Sequence, residues 1–367
     1  MDLRPSARGA ACKAGAVEID LSLMTVPLEA VAGTASALAG LGADGFFTAE
    51  GPHDVMGPLY LAAAGAPGTA LMTNAAVAFP RNPIHLAHSA FDLQRLSGGR
   101  FRLGVAPQVA AHITRRFGLD WSQPVDRMAD LVAALHAIFA TWQEGAPLAH
   151  EGPFYRHTLM TPMFSPAPLA SGPPPVIVGA LGPAMTTMAA AVADGISVLP
   201  FCSEELLRSA TAPCIGDGLA AAGRARADIE VVCGAIVGVG GDAEELSAAR
   251  AGVRALLGFY GSTPAYRRVL ASIDRAEVHE PLRALVREGR FGELDALIDD
   301  DLVARLAIVG EPDEVAEGLV ERFGWIADRL SLFLPSDPSP DTLQSMFAAI
   351  HARSARLPGS GAGAVPA

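Results

Sequence analysis

Cysteine is scarce in this chain. Four residues, Cys12, Cys202, Cys214 and Cys233, form no CxxC pair and stand at no zinc-finger spacing from a histidine. This excludes a disulfide-stapled scaffold and a thiolate metal knuckle, and leaves buried or incidental thiols in a reducing compartment. Basic residues are also in short supply. The 27 Lys and Arg against 39 Asp and Glu give a formal charge of −12, and no Lys/Arg-rich block interrupts that field, so a nucleic-acid partner is not expected. Apolar runs are cut by Gly, Pro or a charge before reaching the roughly 18 residues of a membrane span, which argues against a membrane protein. Residues 1–16 carry Arg4, Arg8 and Lys13 but lack the continuous apolar core of a secretory leader. They read as a flexible extension, and the protein as cytoplasmic.

Several nucleotide and hydrolase signatures are missing too. No GxGxxG follows the first strand, and neither GxxxxGKS/T nor GxSxG occurs, so ordinary dinucleotide, P-loop and serine-hydrolase readings have no support. What is present is apolar material for a sizeable core: 50% of the residues are hydrophobic and the charged fraction is 18%.

Short β-type runs alternate with helical stretches, the pattern of a parallel sheet covered by helices. Eight strands are expected: Val17 to Met24, Gly45 to Ala49, Ala70 to Ala78, Phe101 to Val105, Pro175 to Gly179, Gly195 to Leu199, Ile229 to Val239 and Leu330 to Leu334. Helix signals fall between them, at Leu28 to Leu41, Ile84 to Ser97 and Pro124 to Trp142, ended by glycine or started by proline. Eight such units predict an α/β fold of one domain, a (β/α)8 TIM barrel spanning 17–353. Two long connections, Gln143 to Pro174 and Gly258 to Asp301, are expected as lid-forming insertions or pocket walls. The tail 354–367, ending GSGAGAVPA, is expected to be disordered.

A barrel puts its active site at the strand ends, so the residues after each run are the candidates. Strand two ends FFTAEGPHDV, offering Glu50 and His53 as a proton-handling pair, with Asp54 as either a ligand group or a helix cap and His53 alternatively a solvated side chain. Strand three ends in small residues, TNAAVAFPRNP, where a planar ring fits against bare backbone or a helix packs closely. After strand four comes a helix bearing His112, Arg115 and Arg116, an anion site or an exposed face. Gly179 and Gly182 after strand five leave backbone N–H groups open to a phosphate, although GxxG alone is more often a turn. Glu50, His53 and Asp54 lack a matching second pair at ligand spacing, so no metal is expected.

The stretch LQRLSGGRFRLGVAPQ, Leu93 to Gln108, resembles the bacterial-luciferase-like superfamily. The segments around Glu50 and His53, RNP at Arg81 to Pro83, QVAAHITRRFG, GPFYRHTLMTPMF and GLAAAGR are similar to a subgroup of deazaflavin-dependent oxidoreductases, over roughly Ile19 to Arg353. The resemblance implies a TIM barrel binding coenzyme F-420 (8-hydroxy-5-deazaflavin) or FMN. It implies an acidic ring neighbour at Glu50, a non-prolyl cis peptide behind the ring at Asn74 and Ala75, a polar contact at His112, and a phosphate loop at Gly179, Ala180 and Gly182. The anionic oligoglutamate tail of F-420 gives Arg115 and Arg116 a task that FMN, lacking a tail, does not. Where relatives have GLGSQV and then a lysine, this chain has GVAPQV followed by Ala110 and Ala111.

The implied function is hydride transfer between F-420 and a small organic substrate, with Glu50 or His53 moving the balancing proton. The alternatives are FMN-dependent monooxygenation, and a barrel that has lost cofactor binding through Ala106 and Pro107 and serves as a binding or partner subunit. A homodimer is kept open.

Overall fold

The computed structural model describes residues 17–355. The extension expected over 1–16 and nearly all of the expected tail, 356–367, lie outside the described residues. Ser354, placed in that tail by sequence, instead closes the last helix, Pro340–Ser354, and is buried, because the apolar stripe of Met346, Phe347 and Ile350 carries the helix onto the core.

Eight parallel strands close on themselves: β1 (Glu18–Ser22), β2 (Gly45–Thr48), β3 (Ala70–Thr73), β4 (Phe101–Ala106), β5 (Val176–Ala180), β6 (Gly195–Val198), β7 (Glu230–Val239) and β8 (Arg329–Phe333). Each pairs with the next. The ring is completed by β8 on β1, with Glu18 opposite Arg329. This is a (β/α)8 TIM barrel. A three-residue strand, Ile308–Gly310, extends the sheet beside the upper half of β7.

The barrel interior is layered. At the base, Arg329 of β8 pairs with Asp20 at 2.5 Å and with Glu18 of β1, while Arg102 of β4 meets Glu230 of β7 at 2.6 Å. Space for this ionic floor comes from Gly45, where a Cβ would stand 2.2 Å from Asp20 Oδ1. Above it, Phe47, Met72, Ile177 and Val232 form a dry plug with Phe333 packed on top. The much larger core lies outside the strands, between the sheet and its coat of helices.

The run expected as one strand over Ala70 to Ala78 is two pieces. Ala70–Thr73 pairs with β2 and β4, then the chain steps outward through Asn74 and Ala75, and Ala76–Val77 rejoins β4 opposite Val105 and Ala106. The step is possible because Gly104 of β4 has no side chain: a Cβ there would lie 1.8 Å from the Thr73 carbonyl oxygen.

The two insertions take different paths. Gln143 to Pro174 lies along the outer helices, where Asp130 accepts the N–H groups of Phe154 and Tyr155 at 2.7 and 2.8 Å and meets His150 at 2.9 Å. Its short hairpin pairs His150 with His157. Gly258 to Asp301 is helical and reaches the barrel mouth. Tyr260 and Tyr266 pack on buried Phe201, 5.8 and 6.3 Å between ring centres, and Ser272 meets Ser203 at 3.0 Å. Among the described residues no helix is long and apolar enough to cross a membrane.

Candidate functional site

At the C-terminal mouth the loop after β2 meets the step after β3. Glu50, whose side chain is only 9% exposed, accepts from Arg81 Nη1 at 2.5 Å and from the Val77 N–H at 3.1 Å through the same oxygen, Oε1. Arg81 also donates to the Val77 carbonyl at 2.9 Å. The carboxylate is thereby fixed against the small-residue step, with Oε2 bearing no partner among the described residues. Asp54 is exposed; it accepts the Met56 N–H at 2.9 Å ahead of helix Gly57–Gly65 and stands 3.6 Å from Arg81. Its local bond is that of a turn-forming aspartate. His53 is half-buried and makes no hydrogen bond among the described residues.

The Asn74–Ala75 peptide is cis, at the position the resemblance implied. The Asn74 side chain faces inward and spans the barrel. Its Nδ2 donates to Ser331 Oγ of β8 at 3.2 Å, and its Oδ1 accepts from Ser197 Oγ of β6 at 2.6 Å. This polar layer closes the barrel directly beneath the mouth, leaving Ala75 and the backbone as the upper surface.

On the far side, Gly179 faces Ala106. A Cβ on Gly179 would lie 3.1 Å from the Ala106 methyl, so the methyl that departs from the relatives' glycine sits over bare backbone. The turn that follows departs from a Gly-rich loop in another way. Gln108 takes φ of +66° and its Oε1 accepts the Val109 N–H at 3.0 Å. Gly182 precedes helix Pro183–Val192 and supplies no side chain to cap it. His112, Arg115 and Arg116 lie on and just after the short helix Ala110–Arg115, all exposed, with Arg116 5.0 Å over the Phe117 ring. They form no ion pair among the described residues.

The mouth thus brings Glu50, Asn74, Ala75, Gly179, Ala180 and Gly182 to the strand ends, with the basic pair on the adjoining rim. Two residues beside this site are not among the candidates read from the sequence. Arg81 was visible only as part of RNP. Arg268, in the helical insertion, carried no local signal at all; its Nη1 stands 3.0 Å from where a Gly182 Cβ would be. Among the described residues no three His, Cys, Asp or Glu side chains are placed to hold a metal.

The fold and this mouth define a class: the chain belongs to the luciferase-like monooxygenase family, whose model matches residues 12–329. An uncharacterized protein of Mycobacterium tuberculosis is 43% identical over 303 residues, 83% of this chain and 89% of that protein. A putative coenzyme F-420-dependent oxidoreductase of the same species is 25% identical over 329 residues, covering 84% and 91% of the two chains. The coenzyme F-420-dependent tetrahydromethanopterin reductase of Methanopyrus kandleri shares the fold with a TM-score of 0.78 at 20% identity, over 92% of this chain and 99% of that one.

Proposed function

We propose that this protein is an oxidoreductase that transfers a hydride between coenzyme F-420 and a small organic substrate. The observation that carries the reading is the mouth itself: a fixed carboxylate, Glu50, beside a side-chain-poor step at Asn74–Ala75, facing a glycine-bearing loop at Gly179 to Gly182. The residues fit a planar ring with a phosphate. Gly179 and Ala75 leave flat backbone, and the N–H groups of Ala184 and Met185 at the helix start have no partner among the described residues. When bound, the deazaflavin supplies the hydride chemistry.

The chain's own groups divide the remaining work. Glu50 already receives two donors on Oε1, which fixes it as an acceptor that orients what lies above it. The proton that balances the hydride then moves at the imidazole of His53, which makes no hydrogen bond among the described residues. Asn74, tied to Ser197 and Ser331, keeps the floor rigid. Arg115 and Arg116, exposed and without an ion pair among the described residues, complement an anionic tail.

The choice of F-420 over FMN is supported by that basic pair and by the relatives named for F-420. FMN-dependent oxygenation is the second reading, favoured by the phosphate-ready loop that both cofactors share and by the family's own name. Titrating the protein with F-420 and with FMN, followed by fluorescence, separates them. F-420 is expected to bind more tightly than FMN, with an affinity that falls as salt rises, since exposed charges are screened over about 10 Å at 0.1 M. Replacing Arg115 and Arg116 together by alanine is expected to weaken F-420 roughly tenfold or more and leave FMN nearly unchanged, as charge-assisted contacts are lost. Equal losses for both cofactors would remove the tail assignment, and binding of neither would favour a barrel without cofactor.

A further inference from the structure

We propose that the insertion Gln143 to Pro174 carries the contact face of a two-fold symmetric homodimer, centred on Met163 and Phe164. The inference stands apart from the cofactor reading, since none of its residues is among those gathered at the mouth.

The three most exposed large apolar side chains among the described residues are Met163 at 87%, Leu159 at 79% and Phe164 at 63%, all between Leu159 and Phe164. The fourth, Leu96 at 57%, ends helix Pro83–Leu96 beside Arg95, whose Nη2 donates to the Ala167 carbonyl at 2.7 Å and so brings that helix end against the same segment. Singly, exposed leucines are ordinary; a cluster marks an interaction site. Nor does the exposure come from a slack loop. Met160 turns inward, its sulfur accepting from Trp142 Nε1 at 3.3 Å, while Gln143 donates to the Leu169 carbonyl at 2.8 Å and accepts the Leu169 N–H at 3.0 Å. Between these anchors the turn Pro162–Phe164 holds its apolar side chains outward, and a partner meets them without having to order the backbone first.

The chemistry of this face selects its occupant. Thr158 to Pro174 has no charged side chain, in a chain of formal charge −12. Two copies repel through their net charge but meet here without placing like charges opposite each other. The segment is also rich in proline, at Pro162, Pro166, Pro168, Pro173 and Pro174, so few N–H groups lose water on contact and the segment is a poor template for an added peptide strand. A bilayer surface fits badly, because the segment lacks the basic cluster that would hold a protein of this charge to anionic lipid. At these exposures the four apolar side chains offer on the order of 500 Å² per copy, which with the prolines around them approaches the roughly 800 Å² that each partner gives to a standard interface. A face of this kind is complementary to itself, as a two-fold contact requires.

The test is sedimentation velocity on the full chain over a concentration series. The unmodified protein is expected to sediment as a dimer. Met163→Glu combined with Phe164→Glu is expected to raise the dimer Kd roughly thirtyfold or more, as the loss of a central pair of apolar anchors implies. Far-UV circular dichroism should be unchanged, because both side chains are exposed in the protomer. Phe291→Glu, at an exposed phenylalanine of the other insertion, is the control and should leave Kd as it was. A monomeric unmodified protein, a double variant that dimerises as before, or an equal loss from Phe291→Glu would each overturn the inference. Where the double variant loses its fold, amide hydrogen exchange of the unmodified protein decides. Leu159 to Leu169 should then exchange more slowly at concentrations where the dimer forms than on dilution to the monomer, and equal rates overturn the inference. Flotation of the unmodified protein with phosphatidylcholine vesicles, abolished in the double variant, would assign the face to a membrane and overturn it as well.

Discussion

Glu50 and Arg81 join two loops of the barrel mouth through a single oxygen. Oε1 lies 2.5 Å from Nη1, and that nitrogen also holds the Val77 carbonyl at 2.9 Å, so the carboxylate after β2 is positioned by the backbone beyond β3. The pair is more than a surface contact, with side-chain exposures of 22% for Arg81 and 9% for Glu50. It makes the geometry of the mouth depend on a side chain that the sequence offered only as part of a helix start.

The coupling is measurable. Glu50→Gln keeps an acceptor for the Val77 N–H but loses the charge, and is expected to slow turnover by ~10²-fold. His53→Gln should slow turnover similarly while leaving the melting temperature unchanged, because the imidazole has no hydrogen-bond partner among the described residues. A double-mutant cycle of Glu50→Gln with Arg81→Met in urea unfolding should give an interaction of about 1–3 kcal/mol. Additive losses would mean that the two side chains are neighbours without being coupled.

Gly104→Ala tests the step after β3. The added methyl would meet the Thr73 carbonyl at 1.8 Å, a backbone atom on a strand paired to both sides, so neither partner can give way cheaply. A loss of about 3 kcal/mol or more is expected from urea unfolding. Gly33→Ala, where nothing lies within 4 Å, serves as the control and should be neutral or slightly stabilising.

Glu245 sets a pH dependence on the other side of the mouth. It accepts the N–H groups of Gly241 and Ser339 and the Thr342 hydroxyl, clipping the loop after β7 to the one after β8. These bonds hold its carboxyl down to about 2. A lowered value means that the contribution to stability is present above the unfolded-state value of about 4.3 and is lost as pH falls towards the folded one. The stability gap between the unmodified protein and Glu245→Gln should therefore be constant from pH 7 to 5 and narrow below, in urea midpoints taken down to pH 3. A gap that stays constant would mean the interaction is with the side chain's shape rather than its charge.

The thiols give a further check on packing. Burial pushes Cys202 up to about 12 and Cys233 up as well, so neither supplies thiolate near neutrality. Iodoacetamide at pH 8, with mapping by mass spectrometry, is expected to label Cys214, which is partly exposed, well before Cys202 and Cys233, and to reach those two only on unfolding.

Strand identity was written in the sequence because it depends on local pattern. A run such as VVCGAIVGV is apolar at every position only if both of its faces are covered, and all eight expected strands occur within a few residues of their places. The same is true of Glu50 and of Gly179 to Gly182, since a closed barrel puts whatever follows a strand at the mouth. The resemblance at Leu93 to Gln108 added the cis peptide at Asn74–Ala75. What pairs with what across the barrel was decided by tertiary structure. Asn74 meets Ser197 and Ser331 from strands 123 and 257 residues away, and Arg81 finds Glu50 from 31 residues off. The insertion Gln143 to Pro174 clasps the outer helices because Asp130 gathers its N–H groups, while the one carrying Arg268 is drawn over the mouth by Phe201. Periodicity fixes which face of an element is buried. Only closure of the barrel fixes which distant polar group stands opposite, because that depends on strand register and on the path of each insertion, and neither leaves a periodic trace in the chain.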